Sequence, residues 1–501
     1  MSQSSHGGLC PSEWVPSAGA RSMRRGTPAV PRIRAWAAVI GAWTCAAGQP
    51  LAALDSPDRV RYDGEMVVRV TIRDSRDLFL VNQVSPDCWS HSPGPADGMG
   101  WGTLDYRVGA AGLEAIRASG MAHEILIPDL QAVIDAEAMR LSGGVAGRGW
   151  FEDYKTAEQV RAFLEQLAAA RPEIARLETV GHSLENREIY ALRLSGPLSP
   201  GVGLRPIVLI NSVQHAREWI TVMATSYLAE QLVTLYGTDA RTTGILDRYE
   251  VVIIPVVNPD GYAFTWTTNR FWRKNRRPNA GGTFGVDNNR NWGFAWGLSN
   301  GSSGNGSSET YRGTAAFSEP ENAAMRDWTL ANPGVVMHLD VHSYGQYILY
   351  PWGYSALPTP GVGALQRLAV GMRDAILDSG GVPYLAGPCY QTLYPISGGS
   401  LDWYYGARSV LSWTPELRGP GFNPPPEAIL PTAREWHEAV MWLAENFCAA
   451  DVDRSGFLDT DDYDRFVTAF EEGDPAADYD RSGFVDTDDF DAFARAFMEG
   501  C

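Results

Sequence analysis

The chain has 501 residues, a length that predicts two to four domains, and its apolar content of 45% is ample for cores of ordinary size. Its net charge of −18 argues against nucleic-acid binding, which depends on basic surfaces. That charge is uneven, because residues 448–501 hold 16 acidic residues against 4 arginines. The composition therefore predicts a separate acidic unit at the C-terminal end.

Residues 1–54 read as an export leader. Four arginines, at 24, 25, 32 and 34, precede an apolar run over residues 35–47 that is followed by small residues. The run is too short to span a bilayer comfortably. The alternative is a disordered N-terminal arm. We expect an exported protein that is secreted, at the cell surface or periplasmic, with no transmembrane segment once the leader is removed.

Residues 55–141 read as a small α+β unit with the order β-α-β-α-β. Its predicted strands are 67–72, 103–108 and 123–127, and its predicted helices are 74–84 and 109–119. An extra strand could precede residue 103. The glycine-rich stretch 142–150 is typical of a linker, with Arg140 and Arg148 as possible cleavage points.

An H-x-x-E motif follows the linker, formed by His215 and Glu218. The apolar run 205–211 before it is typical of a buried strand, and 219–236 after it predicts a helix. Open α/β sheets build their sites where strands end. Catalytic zinc commonly takes three protein ligands and leaves a fourth position for water, and His342, at the end of another apolar run, is a candidate third ligand. Taken alone, H-x-x-E is more often a surface pair.

Seven motifs in sequence order make the pattern specific. They are His-Ala-Arg-Glu-Trp-Ile (215–220), Pro-Val-Val-Asn-Pro-Asp-Gly-Tyr (255–262), Asn-Arg-Phe-Trp-Arg-Lys (269–274), Gly-Val-Asp-Asn-Asn-Arg-Asn-Trp (285–292), His-Ser-Tyr (342–344), Ser-Gly-Gly-Ser-Leu-Asp-Trp (397–403) and Thr-Pro-Glu-Leu-Arg (414–418). With them, residues 151–447 resemble the catalytic domain of zinc metallocarboxypeptidases of the carboxypeptidase A/B type, the M14 family. The resemblance implies an α/β fold with a mixed, mainly parallel sheet and helices on both faces.

The resemblance also implies the site. One zinc would lie on His215, Glu218 and His342, a ligand set that general accounts of zinc enzymes give for carboxypeptidase A. Glu416 would be the general base, and Arg273 would stabilise the oxyanion. Seven residues would bind the substrate: Arg217, Arg270, Asn289, Arg290, Tyr344, Tyr394 and Leu401. For any one arginine taken alone, solvated surface charge would be the commoner reading.

The implied activity is removal of single C-terminal residues from peptides by a zinc-activated water, with Glu416 taking the proton. Leu401 stands where B-type enzymes carry Asp, which favours apolar or aromatic C-terminal residues. Ile396 stands where a smaller residue is common, and Cys389 could also line the pocket. The alternatives are a cell-wall peptide peptidase, against which Leu401 speaks, and a catalytically inactive binding protein.

Residues 55–141 resemble, more loosely, the ferredoxin-like pro-segment of the same family, which covers the active site. This resemblance depends on Tyr62-Asp-Gly, the element order and the position in the chain. The alternative is an independent accessory domain.

The tail, 448–501, carries an internal repeat, because residues 451–466 recur 27 positions later with twelve of sixteen identical. Both copies follow D-x-D-x-S-G-x-x-D-x-x-D, which places oxygen ligands and Gly as a calcium loop does, although position 12 is Asp rather than Glu. The pair resembles a dockerin and predicts two structural Ca²⁺ and a cell-surface or scaffold partner. The predicted ligands are Asp451, Asp453, Ser455, Phe457, Asp459 and Asp462, then Asp478, Asp480, Ser482, Phe484, Asp486 and Asp489. An acidic tail without a metal is the alternative.

Six cysteines are present, and Cys10 and Cys45 fall in the predicted leader. Cys448 and Cys501 bracket the tail and could form a disulfide in an exported protein. A calcium-loop pair with so small a core needs such a staple. Cys88 and Cys389 are expected to be buried thiols.

Overall fold

The computed structural model describes residues 59–85, 87–89, 102–142, 149–197, 205–298, 300–479 and 484–499. The predicted leader, Arg148, Asp480, Ser482 and Cys501 lie outside these ranges. Among the described residues, no helix is both long and apolar enough to cross a membrane.

An eight-stranded mixed sheet forms the centre of the largest unit, in the order β10-β9-β11-β8-β6-β7-β5-β4. Its strands are β4 (Ala175–His182), β5 (Glu188–Leu194), β6 (Ile207–Ser212), β7 (Glu250–Ile254), β8 (Val335–Ser343), β9 (Tyr347–Tyr350), β10 (Leu385–Pro388) and β11 (Leu411–Leu417). The pairs β6–β7, β6–β8, β8–β11 and β9–β10 are parallel, and β4–β5, β5–β7 and β9–β11 are antiparallel. The predicted fold class is confirmed.

Helices cover both faces of this sheet. They are α4 (Ala157–Ala170), α5 (Trp219–Leu235), α6 (Ala240–Arg248), α7 (Pro259–Thr267), α8 (Pro320–Ala331), α9 (Val362–Asp378), α10 (Cys389–Thr392), α11 (Ser400–Arg408) and α12 (Ile429–Asn446). Side chains alternate along β6, so that Val208 and Ile210 pack in the core with α5 and α12, whereas Leu209 packs in the other core with α8 and α11. A strand buried on both faces reads as a continuous apolar run, as β6 does.

Local sequence signals explain several helix boundaries. The Thr156 side chain accepts from the Gln159 backbone in a capping box that opens α4. Asn258 caps α7, with Pro259 in the first turn. Helix α5 is apolar nearly all round because it lies between the sheet and neighbouring helices, so it needs no polar face.

The N-terminal unit pairs β2-β1-β3 antiparallel, with β1 (Glu65–Thr71), β2 (Thr103–Gly109) and β3 (His123–Ile127). Its helices are α1 (Ser75–Val84), α2 (Ala110–Ala118) and α3 (Leu130–Ser142). The predicted order β-α-β-α-β is present. The sequence interpretation missed α3, which runs to the start of the predicted linker. A further strand just before 103 would lie outside the described residues.

The tail contains α13 (Thr460–Glu472) and α14 (Thr487–Glu499), which pack through stacked rings of Phe466 and Phe493 with centroids 3.9 Å apart. Both phenylalanines are buried, as expected for the aromatic positions at helical spacing. Cys448 is disulfide-bonded. Cys389 is a buried thiol, as expected, whereas Cys88 is a half-buried thiol.

Candidate active site

A strained turn carries the first two candidate ligands out of the sheet. β6 ends at Ser212, and Val213 then adopts φ 57°, a conformation that a β-branched residue rarely takes. The Asn258 backbone N–H donates to the Val213 carbonyl at 3.1 Å, and the Ala216 N–H donates to the Arg273 carbonyl at 2.9 Å. These bonds hold the turn in place, so that His215 and Glu218 stand at the strand end before α5 begins.

The third candidate ligand and the candidate base come from the next two strands. β8 lies parallel to β6 and carries His342 one residue before its end, and β11 lies parallel to β8 with Glu416 directly beside His342 in the register. Parallel neighbours bring their carboxyl ends to one edge of the sheet. The sequence motifs spread over residues 215–416 therefore converge at one buried point.

His215, Glu218 and His342 form a group whose ligand atoms all lie within 4.8 Å of one another, and all three side chains are buried. Nδ1 of His215 lies 3.0 Å from Nδ1 of His342, and the Glu218 oxygens lie 2.9 and 3.1 Å from these nitrogens. Two imidazole lone pairs and a carboxylate facing one point repel each other unless a cation lies between them. This donor set fits zinc.

Each of the two histidines has one carboxylate partner, which fixes the tautomer of its imidazole. Nε2 of His215 lies 3.1 Å from Asp287 Oδ1, and Nε2 of His342 lies 2.9 Å from Asp340 Oδ2. Each imidazole therefore donates through Nε2 and keeps the Nδ1 lone pair for a metal. The sequence interpretation assigned no role to Asp287 or Asp340. Their signals were present, since Asp287 precedes the Asn-Asn-Arg motif and Asp340 stands two residues before His342.

Burial and neighbouring charges shift the pKa values of several groups in the site. Burial opposes the charge on His342, but the carboxylates of Asp340 and Glu218 raise the pKa of this imidazole well above its usual value. Burial likewise opposes the Glu218 carboxylate, but His215 and His342 lower its pKa. Burial raises the pKa of Glu416 to about 8. A cation on the ligand set would stabilise the Glu416 carboxylate and draw that pKa down.

Two buried polar atoms beside the ligand group have no hydrogen-bond partner among the described residues. They are Oε2 of Glu416 and Nη1 of Arg273. Leaving a buried polar group unpaired costs about 1–3 kcal/mol. The rest of the Arg273 guanidinium is held by Asp287, with Nη2 donating to Oδ2 at 2.9 Å. The Glu416 oxygen can therefore accept a hydrogen bond from a ligand, and Arg273 Nη1 can donate one.

The predicted carboxylate-binding residues lie next to the ligand group. Arg290 is held by the carbonyls of Gly301 and Asn289, each at 2.7 Å, and its Nη2 donates to the Tyr394 hydroxyl at 3.1 Å. The side-chain Oδ1 of Asn289 accepts from the Ser400 N–H at 2.9 Å. Arg290 is fully buried, which excludes a solvated surface charge.

A cavity opens beside Arg290. It is lined by His215, Asn289, Arg290, Leu349, Gly353, Cys389, Leu393, Tyr394, Ile396, Gly399, Leu401, Asp402, Thr414 and Glu416. Leu401, Ile396 and Cys389, the three residues considered for the specificity pocket, all line it. The predicted base and the predicted pocket residues therefore share one cavity.

Three predicted substrate residues instead contact the N-terminal unit. Arg270 stacks on Trp219 and donates through Nε to Glu137 at 2.7 Å, Arg217 lies 3.6 Å from Asp87, and the Tyr344 hydroxyl donates to Asp105 at 3.0 Å. All three are buried. Trp89 packs on Phe271 and Phe422 in the same interface. Arg140 lies inside α3 and is paired with Asp153, which makes it a poor cleavage point.

In the tail, the acidic residues of the first predicted calcium loop lie close together. Ligand atoms of Asp451, Asp453 and Asp462 lie within 4.8 Å of one another. The Asp462 carboxylate accepts from the N–H groups of Asp453 and Asp459, and Asp451 accepts from Gly456. Ser455 packs its carbonyl against Gly363, while Phe457 is 72% exposed.

In the second predicted loop, Asp489 accepts from the Asp486 N–H at 2.9 Å and is fully buried. Asp478 and Phe484 lie within the described ranges. Asp480 and Ser482 lie outside them, so this loop's ligand set is described only in part.

The sequence model of the zinc carboxypeptidase family matches residues 160–439. The chain is 32% identical to human carboxypeptidase A1 over 404 residues, which cover 77% of this chain and 94% of that protein. It is 34% identical to bovine carboxypeptidase B, covering 76% and 92%. The crystal structure of carboxypeptidase A from Helicoverpa armigera superposes with a TM-score of 0.68 at 29% identity, covering 77% and 97%.

Both A-type and B-type carboxypeptidases thus match nearly their whole length. The family is one of zinc enzymes, and the buried group of His215, Glu218 and His342 supplies a donor set that suits that metal. The chain belongs to the zinc carboxypeptidase family and is a metallocarboxypeptidase, a hydrolase that acts on peptides.

Proposed function

We propose that this protein is an exported carboxypeptidase that removes single apolar residues from the C-termini of peptides. One observation carries the proposal. Glu416 with its unpaired oxygen, His215 and the buried Arg290 line a single cavity with an apolar side, and the ligand atoms of Glu218 and His342 lie within 4.8 Å of that of His215. A base, a metal site and a carboxylate receptor within one cavity are what an exopeptidase requires.

The substrate's end would be fixed first. A planar guanidinium binds a carboxylate through two parallel hydrogen bonds, so Arg290, with Asn289, would receive the free C-terminus. The Tyr394 hydroxyl now accepts from Arg290 Nη2, and a substrate carboxylate would take that donor and leave the phenol to cover it. The last side chain would then enter the cavity toward Leu401.

Hydrolysis would use the remaining groups. Zinc, when bound by His215, Glu218 and His342, acts as a Lewis acid and makes a water nucleophilic near neutral pH. Glu416 would take the water proton on Oε2 and deliver it to the leaving amine, a role worth about 10²–10⁴-fold. Arg273 Nη1 would donate to the developing oxyanion, and losing such a donor costs about 10²–10³-fold.

Residues 55–141 are proposed to act as a pro-segment that covers the cleft. Its acidic residues contact the three residues predicted to line the groove: Glu137 contacts Arg270, Asp87 contacts Arg217 and Asp105 contacts Tyr344. Burial opposes its charge, but Arg217 and Arg107 hold the pKa of Asp87 below its usual value. Cleavage in the linker 142–150 would release this cover.

The tail is proposed to bind two structural Ca²⁺ and to attach the enzyme to a cell-surface or scaffold partner. Support comes from Asp451, whose Oδ1 is buried without a hydrogen-bond partner among the described residues. Burial and the neighbouring Asp462 and Asp453 raise its pKa to about 6. A divalent cation with oxygen ligands would relieve that repulsion.

The reaction is tested by zinc analysis of the mature enzyme together with hydrolysis of blocked dipeptides ending in Leu or Arg. We expect about one zinc per chain in the active enzyme and faster hydrolysis of the Leu substrate. A zinc-loaded protein that hydrolyses neither would contradict the proposed peptidase activity, and faster hydrolysis of the Arg substrate would contradict the apolar pocket.

A further inference from the structure

Two side chains that line the cavity beside Arg290 both lie against Gly353 and narrow it. Ile396 comes from the loop after α10, and the Cys389 thiol comes from the start of α10. Both face Gly353, where an added Cβ would lie 3.2 Å from Ile396 Cβ and 3.5 Å from Cys389 Sγ. Leu349, Leu393 and Leu401 form the remaining apolar wall, and all three are buried.

The backbone that carries Ile396 has little freedom to withdraw. Its N–H donates to the Gly353 carbonyl at 2.7 Å. On the other side, Gly301 approaches so closely that an added Cβ would lie 2.7 Å from Ile396 Cα. Rotation of the Ile396 side chain redistributes its volume without removing it from the cavity. Ile396 is therefore a fixed part of the pocket.

The space that remains is small. The cavity encloses about 20 Å³. Roughly 10–15 Å³ suffices for one water molecule, whereas a cavity of about 150 Å³ is what accommodates benzene. An aromatic ring would have to displace Ile396 or Cys389 from well-packed positions, and overpacking of this kind is unfavourable. A short aliphatic chain needs much less adjustment.

The carboxylate in the pocket wall does not offer a free charge to a basic substrate. Asp402 is buried, and its oxygens accept from the Gly353 N–H at 2.9 and 3.1 Å and from the Tyr354 N–H at 2.9 Å. Its role is to hold the segment that faces Ile396. The remaining specificity contacts are apolar.

We infer that Ile396 and Cys389 restrict this enzyme to small aliphatic C-terminal residues, such as Ala, Val and Leu, and exclude Phe, Tyr and Trp. The inference rests on the proposed function, because it names the substrate class of the same cavity. It narrows the expectation from the sequence, which included aromatic residues.

The test measures kcat/KM for blocked dipeptides that share one penultimate residue and end in Ala, Val, Leu or Phe. We expect the best aliphatic substrate to exceed the Phe substrate by about 10-fold or more, because misfit by even one methylene in an apolar pocket is worth about 10–200-fold. Equal or faster hydrolysis of the Phe substrate would overturn the inference while leaving the proposed peptidase intact. Hydrolysis of none would overturn the proposed function itself.

The Ile396→Ala variant identifies the residue responsible. It should raise the Phe-to-Leu ratio of kcat/KM by about 10-fold, and an unchanged ratio would overturn the assignment. Ile348→Ala is the matched control, since it removes the same atoms from β9 at a buried position that does not line the cavity. Its ratio should stay at the wild-type value, because a ratio does not depend on how much enzyme is folded.

If Ile396→Ala fails to fold, Cys389→Ala provides the second variant. It also removes volume from the cavity wall and should raise the Phe-to-Leu ratio by several-fold. A ratio that stays at the wild-type value in this variant would remove Cys389 from the proposed restriction.

Discussion

Glu416 is the residue whose environment differs most from that of an ordinary carboxylate. It is buried, its Oε2 has no partner among the described residues, and it lies beside the ligand His342 in the sheet register. A structural carboxylate so buried would be expected to have its oxygens satisfied. The open oxygen supports the proposed role of Glu416 as the proton acceptor in the reaction.

Replacing Glu416 with Gln should lower kcat by about 10²-fold or more, because the amide keeps the shape but cannot accept the proton. KM and zinc content should stay close to wild type. Steady-state kinetics with metal analysis makes the measurement, and Glu230→Gln on α5 is a control with the same chemical change away from the cavity. An unchanged kcat would remove Glu416 from the mechanism.

Most of the candidate site residues could be predicted from sequence because they lie in dense local motifs, whereas Tyr394 lies outside these motifs and was predicted from the family resemblance alone. The structure brings His215, Glu218, His342, Arg273, Asn289, Arg290, Tyr394, Leu401 and Glu416 to one place. What the sequence could not give was their partners. Asp340 and Asp287 contact the histidines only because β6 and β8 are parallel neighbours and the 285–292 loop folds back. Such contacts depend on the tertiary structure and cannot be predicted from a local motif.

At the scale of elements, the predictions succeeded where the hydrophobic pattern was strong and local. The strand before His215 and the helix after Glu218 were both predicted correctly. Helix α3 was missed, because its sequence has a weak amphipathic pattern and its buried residues pack on the catalytic unit. A pattern that depends on a partner cannot be read from the segment alone.

On helix α5, the titration of the Glu230 carboxyl affects the stability of the folded protein. Burial raises the pKa of Glu230 to about 7. A carboxyl that binds its proton more tightly when folded contributes full stability below its unfolded pKa, near 4.5, and loses it as the pH rises toward 7. Glu230→Gln should therefore raise the free energy of unfolding by about 1–3 kcal/mol at pH 8 and have little effect at pH 4.

Thermal unfolding of wild type and Glu230→Gln at the two pH values checks this expectation, with Glu165→Gln on the exposed face of α4 as the control. A variant with the same Tm as wild type at pH 8 would show that Glu230 is ionised in the folded state at no cost.

Across the whole molecule, acidic residues of the N-terminal unit pair with Arg270, Arg217 and Tyr344 of the catalytic unit, and these contacts support its proposed covering role. Glu137 is buried, and it holds Arg270 through Nε at 2.7 Å and Nη2 at 3.4 Å. Glu137→Ala leaves Arg270 without its carboxylate, and breaking such a buried pair costs about 3–5 kcal/mol. The uncleaved variant should therefore open more often and hydrolyse peptides faster than uncleaved wild type.

The measurement compares the peptidase activity of uncleaved wild type and uncleaved Glu137→Ala with the activity of each protein after cleavage in 142–150. This comparison separates an effect on the covering unit from an effect on the catalytic site. The cleaved forms should be alike. The control is Glu114→Ala, which removes an exposed carboxylate paired only within the N-terminal unit. If uncleaved wild type is already as active as the cleaved form, the covering role is wrong.

The tail is not an isolated appendage in this structure. The Arg454 carbonyl accepts from the Ala364 N–H at 3.3 Å, at the start of α9, and the Arg454 side chain reaches the Ser409 carbonyl. Helix α9 has no side-chain cap of its own, so the first loop supplies part of its capping. Calcium that orders this loop should also stabilise the catalytic unit.

Saturating calcium should therefore raise the Tm, with a stabilisation of about 2.7 kcal/mol at 100 times the dissociation constant. Calorimetry in zinc-containing buffer measures the binding, and Asp462→Asn, which keeps the side chain's shape, is the comparison. Peptidase activity should survive deletion of 449–501. No binding at millimolar calcium would contradict the predicted calcium loops.

His215, Glu218 and His342 are proposed to hold the catalytic zinc. The most direct measurement is the metal content of purified wild type and His342→Ala, with His437→Ala as a control for loss of a histidine outside the group. Wild type and His437→Ala should carry one zinc per chain, whereas His342→Ala should carry almost none and hydrolyse no dipeptide. Full zinc occupancy with normal turnover in His342→Ala would contradict the account.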